Sequence, residues 1–182
     1  MKQNKVEKLL AGVLSISLAM GVNVMPAFAA QVQGPPYEDM SRVYLTKNYE
    51  LANTGTISPK ETFTFTIDPG TVTDASEGID AADYMPSVGD VSYAQGEAGS
   101  ANKTRQIEIQ LPKYDSVGVY TYIIHEVAGN SAGVTYYGDA ILLRVTVIEQ
   151  DGKLRIAAVH TEDPESTGEG KKDDFDNLYS AG

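Results

Sequence analysis

From position 41 to 179 the chain repeatedly alternates apolar and polar residues over short runs, broken by stretches rich in Gly, Asp, Asn and Ser. A period of two places every second side chain on one face of a β-strand. In "VYLTKNYEL", Val43, Leu45, Tyr49 and Leu51 share a face; in "ETFTFTI", Phe63, Phe65 and Ile67 point one way and three threonines the other. Further strands are expected at Ile107, Ile109 and Leu111, over 118–127, 140–148 and 154–159, and in a short piece around Phe175 to Tyr179. Asn53-Thr54-Gly55 and Ser58-Pro59 punctuate the early part. Residues 68–104 carry strand signal only around Val91 to Tyr93 and a helical turn near Asp80 to Met85, and read as a long surface excursion. Seven or eight short strands without a long amphipathic helix predict an all-β fold, an antiparallel β-sandwich of immunoglobulin-like kind. The Cys-Trp-Cys pattern of antibody domains is missing.

The amino terminus is of another kind. Lys2, Lys5 and Lys8 precede an apolar run from Leu9 to Met20 and then Ala27-Phe28-Ala29, the layout of a secretory signal peptide over 1–29. The run is too short to span a bilayer, and no later stretch is long and apolar enough. Cleavage after Ala29 leaves 153 of the 182 residues, an extended leader over 30–40 with Pro35-Pro36 and one domain over 41–182. No internal repeat is visible, and Ser180-Ala181-Gly182 looks like an inter-domain joint, as in a piece of a longer multidomain subunit. An exported chain with no cysteine lacks the usual staple of small secreted domains and points to a Gram-positive type of surface. Losing Lys2, Lys5, Lys8 and Glu7 takes the 14 basic and 25 acidic residues to 11 and 24, a net charge of −13. So acidic a chain, without a Lys/Arg stripe, does not suit nucleic acid or an anionic lipid surface.

Three polar residues break the strand patterning. Lys47 falls on the apolar face of its strand; Glu126 shares a face with Tyr120, Tyr122 and Ile124; Asn177 lies between Phe175 and Tyr179, opposite two aspartates. Each has an ordinary reading. A strand lysine can snorkel from an edge, Val119, Ile123 and Val127 form a rival core face for the Glu126 strand, and Asn177 can serve a turn. Together they have a chemical one. Burial disfavours the ammonium and leaves a nucleophilic amine, while a carboxyl in the same setting favours its neutral form. Glu126 would then hydrogen-bond the side-chain carbonyl of Asn177 and shuttle protons as Lys47 attacks. The product is a Lys-Asn isopeptide bond, with ammonia released.

"LTKNYELANTGTISPKETFTFTIDP", "GVYTYIIHEVAGNSAGVTYYGDAILLRVTV" and "FDNLY" resemble the first domain of the major backbone pilin of sortase-assembled Gram-positive pili, the streptococcal T-antigen type. The resemblance runs from about residue 41 to 179. It implies a CnaB-like sandwich with an autocatalytic isopeptide bond between first and last strands, Lys47 as nucleophile, Glu126 as catalytic acid and Asn177 as acceptor. It also implies a secreted, cell-wall-anchored pilus, sortase and other pilin subunits, major and minor, as partners, host cell-surface ligands, and no cofactor, metal or nucleic acid. The family's inter-subunit lysine lies a few residues before the reactive Asn, where Lys171 and Lys172 stand in "STGEGKKDD"; Lys60 lacks the Y-P-K-N context of another pilin group.

Two other functions are open to such a chain. One is an immunoglobulin-like adhesin without a cross-link, binding a host protein or glycan through 68–104 with Tyr84 and Tyr93 as contacts. The other is an enzyme, for which His125 and His160, no Cys and no G-x-S-x-G supply no nucleophile pair, and Asp80, Asp83 and Asp90 lack calcium-loop spacing.

Overall fold

The computed structural model describes residues 40–166 and 170–181. The signal peptide and almost all of the leader lie outside the described residues. Eleven strands occur among the described residues: β1 Arg42–Leu51, β2 Glu61–Phe63, β3 Phe65–Thr73, β4 Ser87–Val88, β5 Val91–Tyr93, β6 Thr104–Gln110, β7 Gly118–Glu126, β8 Val134–Thr135, β9 Ala140–Gln150, β10 Lys153–Glu162 and β11 Asp174–Tyr179. The sequence pattern led to seven or eight; the rest are pieces of two or three residues, too short for a period to register. A 3-10 turn at Ala81–Asp83, capped by the Asp80 carboxylate, is the expected helical turn.

Two sheets form the sandwich, one in the order β4-β6-β1-β11-β8 and the other β10-β9-β7-β3, with β2-β5 as a small third. Val43, Leu45, Ile107, Ile109 and Phe175 of the first sheet and Tyr120, Tyr122, Ile124, Ile141, Leu143 and Val145 of the second are buried. The sheets meet in ring contacts such as Phe65 against Phe175, 5.2 Å apart. One pairing departs from the antiparallel expectation: β1 and β11 run parallel, Lys47 beside Phe175 and Tyr49 beside Asn177. Parallel neighbours need a long crossover, and here nearly the whole domain supplies it.

The turn chemistry follows local rules. β9 and β10 are joined through Asp151 and Gly152, both at positive φ (54° and 72°), as a two-residue hairpin requires. In β3 the register shifts between Pro69 and Val72. The buried Thr121 hydroxyl fills that bulge, accepting from the Thr71 N–H at 2.7 Å.

Residues 68–104 are mostly exposed, as a surface excursion is, but the segment also contributes to the core. β3 runs on to Thr73, and Ala81, Val91, Tyr93 and Ala98 are buried. Tyr93, at 1% exposure, is core and not a contact residue; its ring packs edge-on to Tyr49 and Phe63 at 5.3 and 5.8 Å. Spaced apolar residues in a Gly- and Asp-rich segment carry no period, so their burial was not legible. Leu111 falls just past β6 and is half-buried.

Candidate functional site

The face that β7 turns inward is the one with the carboxyl. Tyr120, Tyr122, Ile124 and Glu126 are buried, whereas Val127 of the rival face is 44% exposed. From the opposite sheet, β1 points Lys47 inward between Leu45 and Tyr49, and β11 points Asn177 inward two residues beyond Phe175. Lys47 is paired with Phe175, so its four-carbon stem reaches diagonally along β11 to Asn177. The fold thus brings the three polar residues of the strand pattern to one point in the interior, with the side chains of Lys47 and Glu126 wholly inaccessible.

Lys47 Nζ donates to Asn177 Oδ1, and to the main-chain carbonyls of Asn48 and Phe175 at 3.2 and 3.3 Å. Glu126 Oε2 lies 3.4 Å from Nζ. Glu126 Oε1 accepts from Asn177 Nδ2, and from the Tyr137 main-chain N–H at 3.0 Å. The carboxyl therefore meets the amide nitrogen and not the expected carbonyl oxygen. The reason is local: Asn177 Oδ1 is taken by the lysine, which turns the nitrogen toward the Glu126 acceptor. The Phe63 ring, 4.1 Å from Nζ, presents its electron-rich face to the amine. The Tyr93 hydroxyl lies 3.0 Å from the Lys47 main-chain carbonyl and steadies β1 at this residue.

Burial lowers the Lys47 pKa to about 8, against the opposing pull of the Glu126 carboxyl. A substantial fraction of the amine is then neutral near pH 8, beside an amide it can attack. Tyr49, next to Asn177 in register, keeps a buried hydroxyl without a hydrogen-bond partner among the described residues. Burial pushes its pKa up to about 12. No cluster suited to a metal ion occurs among the described residues.

Of the supporting groups, Phe63 was legible as a core residue but not as the ring beneath the lysine. Tyr137 was not legible at all, because it acts through its main-chain N–H, which every residue but proline has.

Lys171 and Lys172 sit just before β11. Lys171 extends into solvent with 56% of its side chain exposed and pairs with Asp173 at 2.8 Å. Lys172 is half-buried, 3.1 Å from Asp174 and 5.2 Å above the Tyr137 ring. Burial alone would lower the Lys172 pKa, but hydrogen bonds to Asp174 and Tyr137 outweigh it and raise the value. Lys60 is exposed.

A family model described as FctA, the Spy0128-like isopeptide containing domain, matches residues 43–180. The chain belongs to this family. The match spans β1 through β11, and nearly all of the matched residues of this FctA-family domain are described. A curated "Pilin" from Streptococcus pyogenes serotype M1 is 24% identical over 146 residues, 79% of this chain and 43% of that protein. The crystal structure of the major pilin from Streptococcus pyogenes matches with a TM-score of 0.60 at 23% identity, over 78% of this chain and 51% of that one. The T3.2 major pilin of the same species matches with a TM-score of 0.63 at 18% identity, over 79% and 54%. These likenesses bear out the immunoglobulin-like pilin fold, and the FctA-family chain spans about half the length of the relatives it matches.

Proposed function

We propose that this chain is a backbone subunit of a covalently polymerised cell-surface pilus and that its domain forms an autocatalytic bond between Lys47 and Asn177. The observation that carries the reading is the meeting of Lys47, Glu126 and Asn177 inside a domain of the isopeptide-containing family. The neutral Lys47 amine attacks Asn177 Cγ, forming the Nζ–Cγ bond. The Cγ–Nδ2 bond breaks, and one proton passes from Nζ by way of Glu126 to Nδ2, which leaves as ammonia. Glu126 is suited to this relay because one oxygen faces the nucleophile and the other the leaving nitrogen. Two groups fixed side by side in the core supply the proximity that sluggish amide chemistry needs. The product replaces a buried ammonium by a neutral amide. The event happens once per chain and is not turnover.

For linkage between subunits by sortase, Lys171 is the better nucleophile of the adjacent pair. Its amine is solvent-facing, whereas Lys172 is held by Asp174 and Tyr137.

Intact mass of the mature protein, beside a Glu126→Ala variant, tests the internal bond. The parent is expected to be lighter by one ammonia and to yield a joined Lys47–Asn177 peptide, and the variant to keep its full mass. Full mass in both would remove the cross-link and leave an uncross-linked surface adhesin as the working reading.

A further inference from the structure

Between β7 and β9 the chain from 127 to 139 carries β8 and reaches the Lys47–Asn177 site through two adjacent tyrosines that contact different residues of it. Tyr136 turns to the Phe63 side. Its ring lies edge-on to Phe63, 6.0 Å away, and Phe63 is the ring under Lys47 Nζ. The Tyr136 hydroxyl donates to Glu61 Oε2 at 3.0 Å and accepts from the Ser131 N–H at 3.2 Å. Gly129 packs so tightly there that a Cβ would stand 2.4 Å from that hydroxyl. Tyr137 turns instead to Phe175, its ring edge-on at 5.1 Å, and Phe175 is the residue paired with Lys47. The Tyr137 main-chain N–H holds Glu126 Oε1.

Glu126 needs such help. It is the last residue of β7, paired there with Phe65, and the Val127 N–H just beyond bonds the Thr64 carbonyl, so the main chain fixes where the side chain starts but not where its carboxyl points. Its Oε2 accepts no hydrogen bond among the described residues and faces only the reacting Lys47, 3.4 Å away, so outside the reacting groups its direction rests on what holds Oε1. Apart from the reacting Asn177, the Tyr137 N–H is that holder.

We propose that Tyr136 and Tyr137 are positioning residues: they clamp the 127–139 segment to the site and aim the Glu126 carboxyl, with the Tyr136 hydroxyl on Glu61 as the latch. The clamp rests on the isopeptide reading and adds to it the residues that set the rate. Releasing the latch lets the Tyr137 N–H drift from Oε1, and displacing an acting group by about 1 Å can cost roughly a hundredfold in rate.

The test follows the full chain made in a cell-free reaction, sampled over time, with the fraction lacking one ammonia read by intact mass. Tyr136→Phe and Glu61→Ala are expected to slow the loss by roughly tenfold or more while still reaching completion. Glu61→Gln, which keeps an acceptor for the hydroxyl, is expected to restore the parent rate. Tyr137→Phe, which keeps the ring and the N–H, is also expected to react at the parent rate. A residue that served stability alone would instead lower the final extent, through chains that never fold, and Glu61→Gln would not separate from Glu61→Ala in rate. A reacting parent with Tyr136→Phe and Glu61→Ala at the same rate overturns the clamp and leaves the isopeptide reading standing. A parent that never loses ammonia overturns both. Should Tyr136→Phe fail to fold, equal rates for the two Glu61 variants would still overturn the clamp.

Discussion

Lys47 is the residue on which the chemistry turns, because a strand position that should hold an apolar side chain holds an amine with no access to water. Its pKa near 8 makes a pH dependence unavoidable if the neutral form attacks. Below that value the neutral fraction falls about tenfold per pH unit, so the rate of ammonia loss should climb roughly tenfold from pH 6 to 7 and level off above about 8. Quenched time courses read by mass check this, and a flat profile over that interval would mean that deprotonation of Lys47 does not limit the reaction. Lysine on a period-two strand was legible from sequence; the ring beneath it and the main-chain N–H that holds its partner were not, since neither leaves a pattern along the chain.

At the scale of elements, β7 binds the site to the rest of the fold. Its inner face supplies Glu126, and its outward Thr121 fills the β3 bulge, where a Cβ on Gly70 would stand 2.5 Å from the Thr121 hydroxyl and 2.7 Å from its carbonyl oxygen. Backbone cannot give way as a side-chain end can. Gly70→Ala is therefore expected to destabilise by about 1–3 kcal/mol, whereas Gly138→Ala, with nothing within 4 Å of the added carbon, should change little. Urea unfolding of both in a Lys47→Met background, free of any cross-link, compares them; equal midpoints would mean that the bulge relaxes freely. The long strands β1, β7, β9 and β10 were readable because each carries several turns of the alternation. β4 and β8 have two residues each and exist only because a neighbouring strand offers its edge.

For the whole molecule, the first and last strands lie side by side and parallel, 130 positions apart at the reacting pair. A bond there closes almost the entire domain into one loop. By the chain-entropy relation used for disulfides, closure of that length stabilises by about 5 kcal/mol. Lys47→Met keeps an unbranched apolar stem without the charge, so its loss of stability should report chiefly the missing bond. Calorimetry should show a large drop in Tm, together with faster cleavage by proteases that attack opened states. Unchanged Tm and unchanged protease resistance would mean that the domain gains nothing from the link. Tension entering at β1 and leaving at β11 would pass through the bond, sparing the residues between, as a fibre subunit requires.

Sequence alone determined the sandwich class, the placing of Lys47 and Asn177 at core parity and the likeness to pilins, because strand periodicity and residue order are properties of the chain read along its length; for Glu126 it left two rival faces, and burial in the fold decided between them. Only the tertiary structure decided that β1 and β11 run parallel, that residues 68–104 contribute to the core, and that the Asn177 nitrogen faces Glu126. Those features depend on pairings between segments tens of residues apart and on competition for one oxygen atom. No local pattern encodes either.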